Sequence, residues 1–206
     1  LLEEEQSEIQ RILVAMTRLV AEHADAIATC ARVLAEVESL FARARFARDF
    51  YCIAPVFSAP GSRLESESGP ERILLKGARH PLLEKRLRDE ARAAKLHPAA
   101  KDASIEAVVP LDLELPAETR QLIISGPNTG GKTVALKTGG LLALMGQAGI
   151  PVPAEVAELP LFDAVLADIG DAQSIAQNLS TFSAHITRLN VISELATPHS
   201  LVLLDE

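Results

Sequence analysis

Eight consecutive residues, GPNTGGKT from Gly126 to Thr133, combine three glycines, a lysine and a terminal hydroxyl. They fit the spacing G-x-x-x-x-G-K-[ST] without a mismatch. Glycines let successive backbone N–H groups turn inward around a phosphate. Lys132 can reach the outer phosphates of a nucleotide, and the Thr133 hydroxyl can bind Mg²⁺. Gly126, Pro127, Asn128, Thr129, Gly130 and Gly131 form the loop, and Val134 enters the element that follows. A glycine-rich turn can match such a string by accident, so the flanks matter. QLIIS before it reads as a buried strand, and GKTVALKTGGLLALMGQ reads as a helix. A helix N-terminus adds partial positive charge where the phosphate would sit.

Such a loop needs an acid on a neighbouring strand to hold the metal. LVLLDE, Leu201 to Glu206, supplies it 72 positions after Thr133. Asp205 fits the metal-binding acid, and Glu206, pointing elsewhere, fits the group that polarises an attacking water. Between the two motifs runs DIGDAQSIAQNLSTFSAH. Asp168, Asp171 and Gln173 follow a strand-like segment, where a polar group can sense a γ-phosphate or metal. Ser180 and Thr181 open the next helix. Hydroxyls there serve as ordinary caps, and a capped N-terminus is also a good donor to phosphate.

The elements that must position these groups alternate. DAVLADI reads as a strand, STFSAHITRLNVISELA as a helix and SLVLL as a last buried strand. With QLIIS and its helix, the order predicts an α/β fold, a mainly parallel sheet covered on both faces. RILLK at 72–76 reads as a short strand. The segment after Pro81 reads as a charged helix whose Leu82, Leu83 and Leu87 face inward.

Residues 1–54 are different, with neither Gly nor Pro. Ile9, Leu13, Met16, Val20, His23, Ile27, Cys30, Leu34, Val37 and Phe41 follow alternating steps of four and three. That is a heptad seam with His23 as its polar break. Ile12, Leu19, Ala26, Val33 and Leu40 form a second row. The pattern predicts one long helix, either a lever seeking partner helices or part of a bundle on the globular region. Residues 55–70 are rich in Pro, Gly and Ser and read as a hairpin or linker. Residues 71–206 form the remaining domain.

Composition narrows the class. The 206 residues are 48% hydrophobic but only 3% aromatic, so aliphatic side chains must fill the core. A net charge of −8 is the reverse of an isolated basic nucleic-acid binder. LLALM and LVLL are too short to cross a bilayer. Cys30 and Cys52 make no zinc or redox motif, which favours a reducing cytoplasm.

The order of phosphate loop, polar helix and apolar strand ending Asp-Glu resembles the ABC-type ATPases. GARHPLL (77–83), GPNTGGKT, DIGDAQSIAQNLSTFSAH and LVLLDE stand in the order found in the MutS superfamily. VLAEVESLFARARFARDF resembles that family's lever helix. Thr129, the Lys132–Thr133 pair and LSTFSAH resemble the type-two MutS branch rather than the mismatch-recognising one. The resemblance implies ATP and Mg²⁺ as cofactors. It implies a homodimer with composite sites, each loop facing Ser180 and Thr181 of the other subunit. It implies action on branched, recombining or double-stranded DNA through a clamp, with ribosomes as another target. Nuclease activity in the family is assigned to a small further domain. The branch commonly has Glu where this chain has Ala172. Val108 and Val109 stand where an apolar wall for adenine is expected, and His80 in ARHP is either a nucleotide neighbour or a structural residue. The chain alone is expected to bind nucleotide weakly and turn it over little.

Two other classes share the loop. A small-molecule P-loop kinase has no place for a long heptad helix. An SMC-like coiled-coil ATPase is expected to carry a rod between its two motifs, whereas this one precedes both.

Overall fold

The computed structural model describes residues 2–58, 72–96, 108–127, 130–170 and 178–205, the side chains of 94–96 and 178–184 excepted. Contacts divide the chain into two units, Leu1–Arg45 and Phe46–Glu206.

The first unit is helical. The single helix predicted for 1–54 is instead two, α1 (Leu2–Ala21) and α2 (Ala24–Asp49), the second ending inside the other unit. The interruption falls at the polar step of the seam. His23 N–H reaches back three residues to Val20 O at 3.1 Å, and Ile27 N–H restarts the ladder on His23 O at 2.9 Å. Every side chain from Leu2 to Ala42 is exposed, the apolar seam included.

The second unit begins by closing α2. Tyr51 takes a left-handed conformation (φ 50°), and Cys52 N–H donates back to Ala47 O at 2.8 Å. That is a Schellman-type stop. Arg79 Nη2 donates to Phe50 O and Arg88 Nη1 to Asp49 O, both at 2.6 Å. The two cations meet the negative end of the helix dipole, and buried Glu84 bridges them. Burial pushes the Cys52 thiol up to about 11, so it is an inert packing group.

A four-stranded sheet follows in the order β1-β4-β2-β3: β1 (Val56–Ser58), β2 (Ile73–Ala78), β3 (Leu111–Leu115) and β4 (Val156–Pro160). A separate parallel pair joins β5 (Val165–Asp168) to β6 (Leu201–Leu204). Helix α3 spans Pro81–Leu96, α4 Lys132–Gln147 and α5 Asn178–Leu195. The fold is α/β, as predicted, but the sheet is not mainly parallel among the described residues. β1–β4 and β5–β6 pair parallel, while β2–β3 and β2–β4 pair antiparallel. LDLEL in β3 alternates apolar and acidic residues, and VAELP in β4 alternates half-buried and buried positions, the mark of a sheet with one face wetter than the other. Val56–Ser58, within the predicted linker, is a strand of this sheet.

QLIIS is also not a strand. No described strand lies beside it to complete a backbone ladder, and Leu122 and Ile123 are exposed. It forms one wall of a largely apolar cavity of about 510 Å³, opposite Leu113, Leu136, Leu159 and Leu203. On α3, Leu83 and Leu87 are half-buried, but Leu82 is exposed rather than inward.

The core gathers Leu75, Ala78, Leu142, Ala143, Val152, Ala154, Ala157 and Leu159, with α4 seated on the sheet. Small residues set that seat. A Cβ at Gly140 would stand 2.4 Å from Leu203 Cδ1, and one at Gly146 would stand 2.9 Å from Pro55 Cγ. Helix α4 thereby touches both β6 and the segment leading into β1, fixing its N-terminus relative to the end of β6.

Leu142 is fully buried and Leu144, on the same helix, is half exposed. In urea unfolding of the chain, Leu142→Ala should cost about 2–5 kcal/mol. Leu144→Ala should stay within about 0.5 kcal/mol. Equal losses would mean that α4 is not seated on this sheet.

Candidate functional site

The glycine loop ends where α4 starts. Gly131 caps the helix with φ 79° and ψ 17° and, as a glycine, offers no side-chain cap. Ala135 N–H is the first to reach back, to Gly131 O at 2.9 Å. The first turn of α4 thus follows directly on the loop, where helix N-termini characteristically meet anions. A Cβ added at Gly126 (φ 151°) or Gly131 would meet no described atom within 4 Å. Gly130 N–H closes a turn on Pro127 O at 2.9 Å. Lys132 Nζ folds over the loop and donates to Gly126 O at 2.8 Å. Val134, in the first turn, is exposed. Asn128 and Thr129 lie outside the described residues.

Thr133 stands beside Lys132 on that first turn. Its Oγ1 donates to Asp205 Oδ2 at 2.5 Å across 72 residues. The two sequence motifs thus meet side chain to side chain. Asp205 is set by the ladder below it: its N–H donates to Asp168 O at 3.1 Å, and Asp168 pairs with Leu204 in the β5–β6 register. The opposite end of the ladder is also tied. Asp163 accepts from the Thr197 and Ser200 hydroxyls, the latter at 2.8 Å, and these hydrogen bonds hold its carboxyl below the usual carboxylate range.

Asp168 itself is buried, 1% exposed. Arg188 Nη1 donates to its Oδ1 at 3.3 Å. His185 Nδ1 stands 2.5 Å from its Oδ2, out of line for a hydrogen bond, so among the described residues this oxygen has the imidazole close by but no aligned donor. The carboxylate is thus turned to α5 rather than held open for a nucleotide. His185 and Arg188 were not singled out in the sequence. The one available signal was helical spacing: residues 185 and 188 share a face three apart.

Glu206, Asp171 and Gln173 lie outside the described residues. Ser180 and Thr181 fall in the first turn of α5, with their side chains outside the description. Val108 is half-buried and Val109 exposed, on the approach to β3. His80 precedes α3, and its Nδ1 accepts a long hydrogen bond from Leu83 N–H at 3.4 Å, a capping role. The 510 Å³ cavity includes none of the described loop residues, so it is packing space beside the site.

A hard cation fits the donor set. The Thr133 hydroxyl and Asp205 carboxylate are both oxygen donors, and no group of three or more His, Cys, Asp or Glu side chains builds a metal cage among the described residues. Mg²⁺ characteristically takes one or two such protein oxygens and completes its shell with phosphate and water.

Residues 122–206 match the family description MutS domain V. The chain is 42% identical over 203 residues to a protein named Endonuclease MutS2 from Agathobacter rectalis. It is 43% identical over 204 residues to one of that name from Thermomicrobium roseum, and 42% identical to another from Gemmatimonas aurantiaca. The chain is a member of the MutS family. Each alignment covers 98% of this chain but only 22–23% of the relative, so the chain spans less than a quarter of the MutS proteins it matches. The matched domain contains the glycine loop and the Asp205 strand, and it begins at Leu122, just ahead of the loop. Among the described residues no helix is long and apolar enough to cross a membrane.

His80 gives a pH test. Burial lowers its pKa below the ordinary value, and the charge of Lys137 on α4 adds to this. The neutral ring is the form that accepts from Leu83. Its contribution is present above the unfolded pKa of about 6.5 and is lost as pH falls toward the lower folded value. An NMR titration should place the His80 midpoint below about 6.5. His80→Asn should flatten the fall in unfolding free energy as pH drops from about 7 to 5. A His80 midpoint above that of free histidine would contradict the buried capping role.

Proposed function

We propose that the chain is the nucleotide-binding part of an ATP-hydrolysing MutS protein of the type-two branch. The observation that carries this reading is the Thr133–Asp205 hydrogen bond, which joins the phosphate loop to the acid of a neighbouring strand. On this reading the open first turn of α4 and Gly126, Pro127, Asn128, Thr129, Gly130 and Gly131 receive the phosphates. Lys132 leaves Gly126 O to neutralise the outer phosphate oxygens. Thr133 and Asp205 hold Mg²⁺, which when bound would neutralise the phosphate oxygens and orient the nucleotide. Glu206 is the group that polarises water. Val108 and Val109 form the apolar side for adenine, and His80 supports it from just ahead of α3.

Hydrolysis on this reading needs a second subunit. The N-terminus of α5, with Ser180 and Thr181, is offered to the loop of the partner, so two chains complete two sites. Asp171 and Gln173 are the γ-phosphate sensors, and Asp168 supports the site from beneath. The apolar seam of α1 and α2 belongs to a lever that carries the nucleotide state to a clamp on branched or double-stranded DNA. The net charge of −8 places the DNA contacts largely outside this chain. The relatives' name adds endonuclease activity to the whole protein. Suppression of recombination and rescue of ribosomes are the cellular roles proposed with it.

The test is calorimetric titration of ATP with Mg²⁺ into the chain. Lys132→Ala should lower the affinity by at least about a hundredfold (~2.7 kcal/mol), with the far-UV circular dichroism unchanged. Unchanged affinity would mean that the loop is not the site.

A further inference from the structure

Asp168 connects three elements at once. Its backbone ends β5. Its carbonyl oxygen accepts the Asp205 N–H at 3.1 Å, just past β6. Its buried carboxylate faces His185 and Arg188 on α5. A carboxylate that is 1% exposed has given up its water and depends on these partners to offset that loss. Arg188 is 63% exposed, so its guanidinium reaches inward from the surface, whereas His185 is 31% exposed and covers the acid directly.

The consequence falls on Asp205. Its peptide hangs from the Asp168 carbonyl, and its Oδ2 receives the Thr133 hydroxyl at 2.5 Å. If the Asp168 side chain loses these partners, it is left buried without a match, and turning it toward water disturbs the end of β5 whose carbonyl holds Asp205. Asp205 then loses the backbone support that aims its carboxylate at Thr133. The glycine loop, Lys132 and the first turn of α4 do not hang from Asp168 and stay in place.

We infer that Asp168, His185 and Arg188 are positioning residues that aim Asp205 for the divalent cation, and so set how much Mg²⁺ strengthens nucleotide binding. The inference rests on the nucleotide reading of the site. It separates two quantities that a general loss of structure would lower together: affinity for nucleotide without metal, held by the loop, and the gain in affinity that Mg²⁺ adds, held by Thr133 and Asp205.

The experiment titrates ADP into the 206-residue chain, once in excess Mg²⁺ and once in EDTA. His185→Ala and Asp168→Asn should each cut the Mg²⁺-dependent gain at least fivefold and leave the EDTA affinity within twofold. His185→Asn, which restores a nitrogen near Oδ2, should recover much of the gain. Arg188→Gln, a change at an exposed side chain that spares the fold, should cut the gain at least twofold and serves if His185→Ala unfolds. A normal Mg²⁺ gain in Arg188→Gln and Asp168→Asn would overturn the inference while leaving the site intact. Equal losses with and without Mg²⁺ would also overturn it, as the mark of a purely structural role. Absence of ADP binding by the unmodified chain would instead overturn the nucleotide reading itself.

Discussion

A single side-chain contact, the Thr133 hydroxyl on the Asp205 carboxylate, organises the candidate site. It joins residues 72 positions apart, so it exists only if α4 and β6 are brought to one place. Backbone size does much of that work. Gly140 leaves room for Leu203 of β6, and Gly146 leaves room for Pro55 and Phe57 at the other end of the helix. Leu142 and Ala143 are buried between these two glycines. The helix is held at its middle and at its C-terminal end, and its first turn carries Lys132 and Thr133 beside the loop.

The acid is held in a different way. β6 is a short strand with one described neighbour, β5, and its Val202 and Leu204 are exposed. Its position depends on closure at the two ends of the ladder. Asp163 closes the entry with the Thr197 and Ser200 hydroxyls. Asp168 closes the exit with its carbonyl on Asp205 N–H. A buried acid at the exit is a costly choice. It is intelligible if α5 must be tied to the strand that leads into Asp205.

The two motifs were more legible than the architecture. GPNTGGKT and LVLLDE each follow from local residue types, and the structure joins them through Thr133 and Asp205. The α4 and α5 helices and the β5 and β6 strands were also readable, because their apolar runs and helical spacing are local patterns. β3 and β4 were missed because both are short and acids break their apolar runs, Asp112 and Glu114 in LDLEL and Glu158 in VAELP, which reads as loop without knowledge of a wet sheet face. QLIIS was read as a strand from composition alone, yet a strand needs a neighbour to take its hydrogen bonds. The long helix was overextended through His23, where one polar residue in an apolar seam marked the break. His185 and Arg188 were hidden for another reason: their importance lies in the burial of Asp168, which no spacing reveals.

The central claim is that Thr133 and Asp205 together face one divalent cation in the presence of nucleotide. Mn²⁺ can replace Mg²⁺ there and broadens the NMR signals of nuclei close to it. In a titration of Mn²⁺ into the isotope-labelled chain with ADP, the account predicts that the Thr133 and Asp205 resonances broaden first and together. Those of the Asp163 turn should persist at the same concentrations. Early broadening at Asp163, or at Thr133 without Asp205, would contradict it.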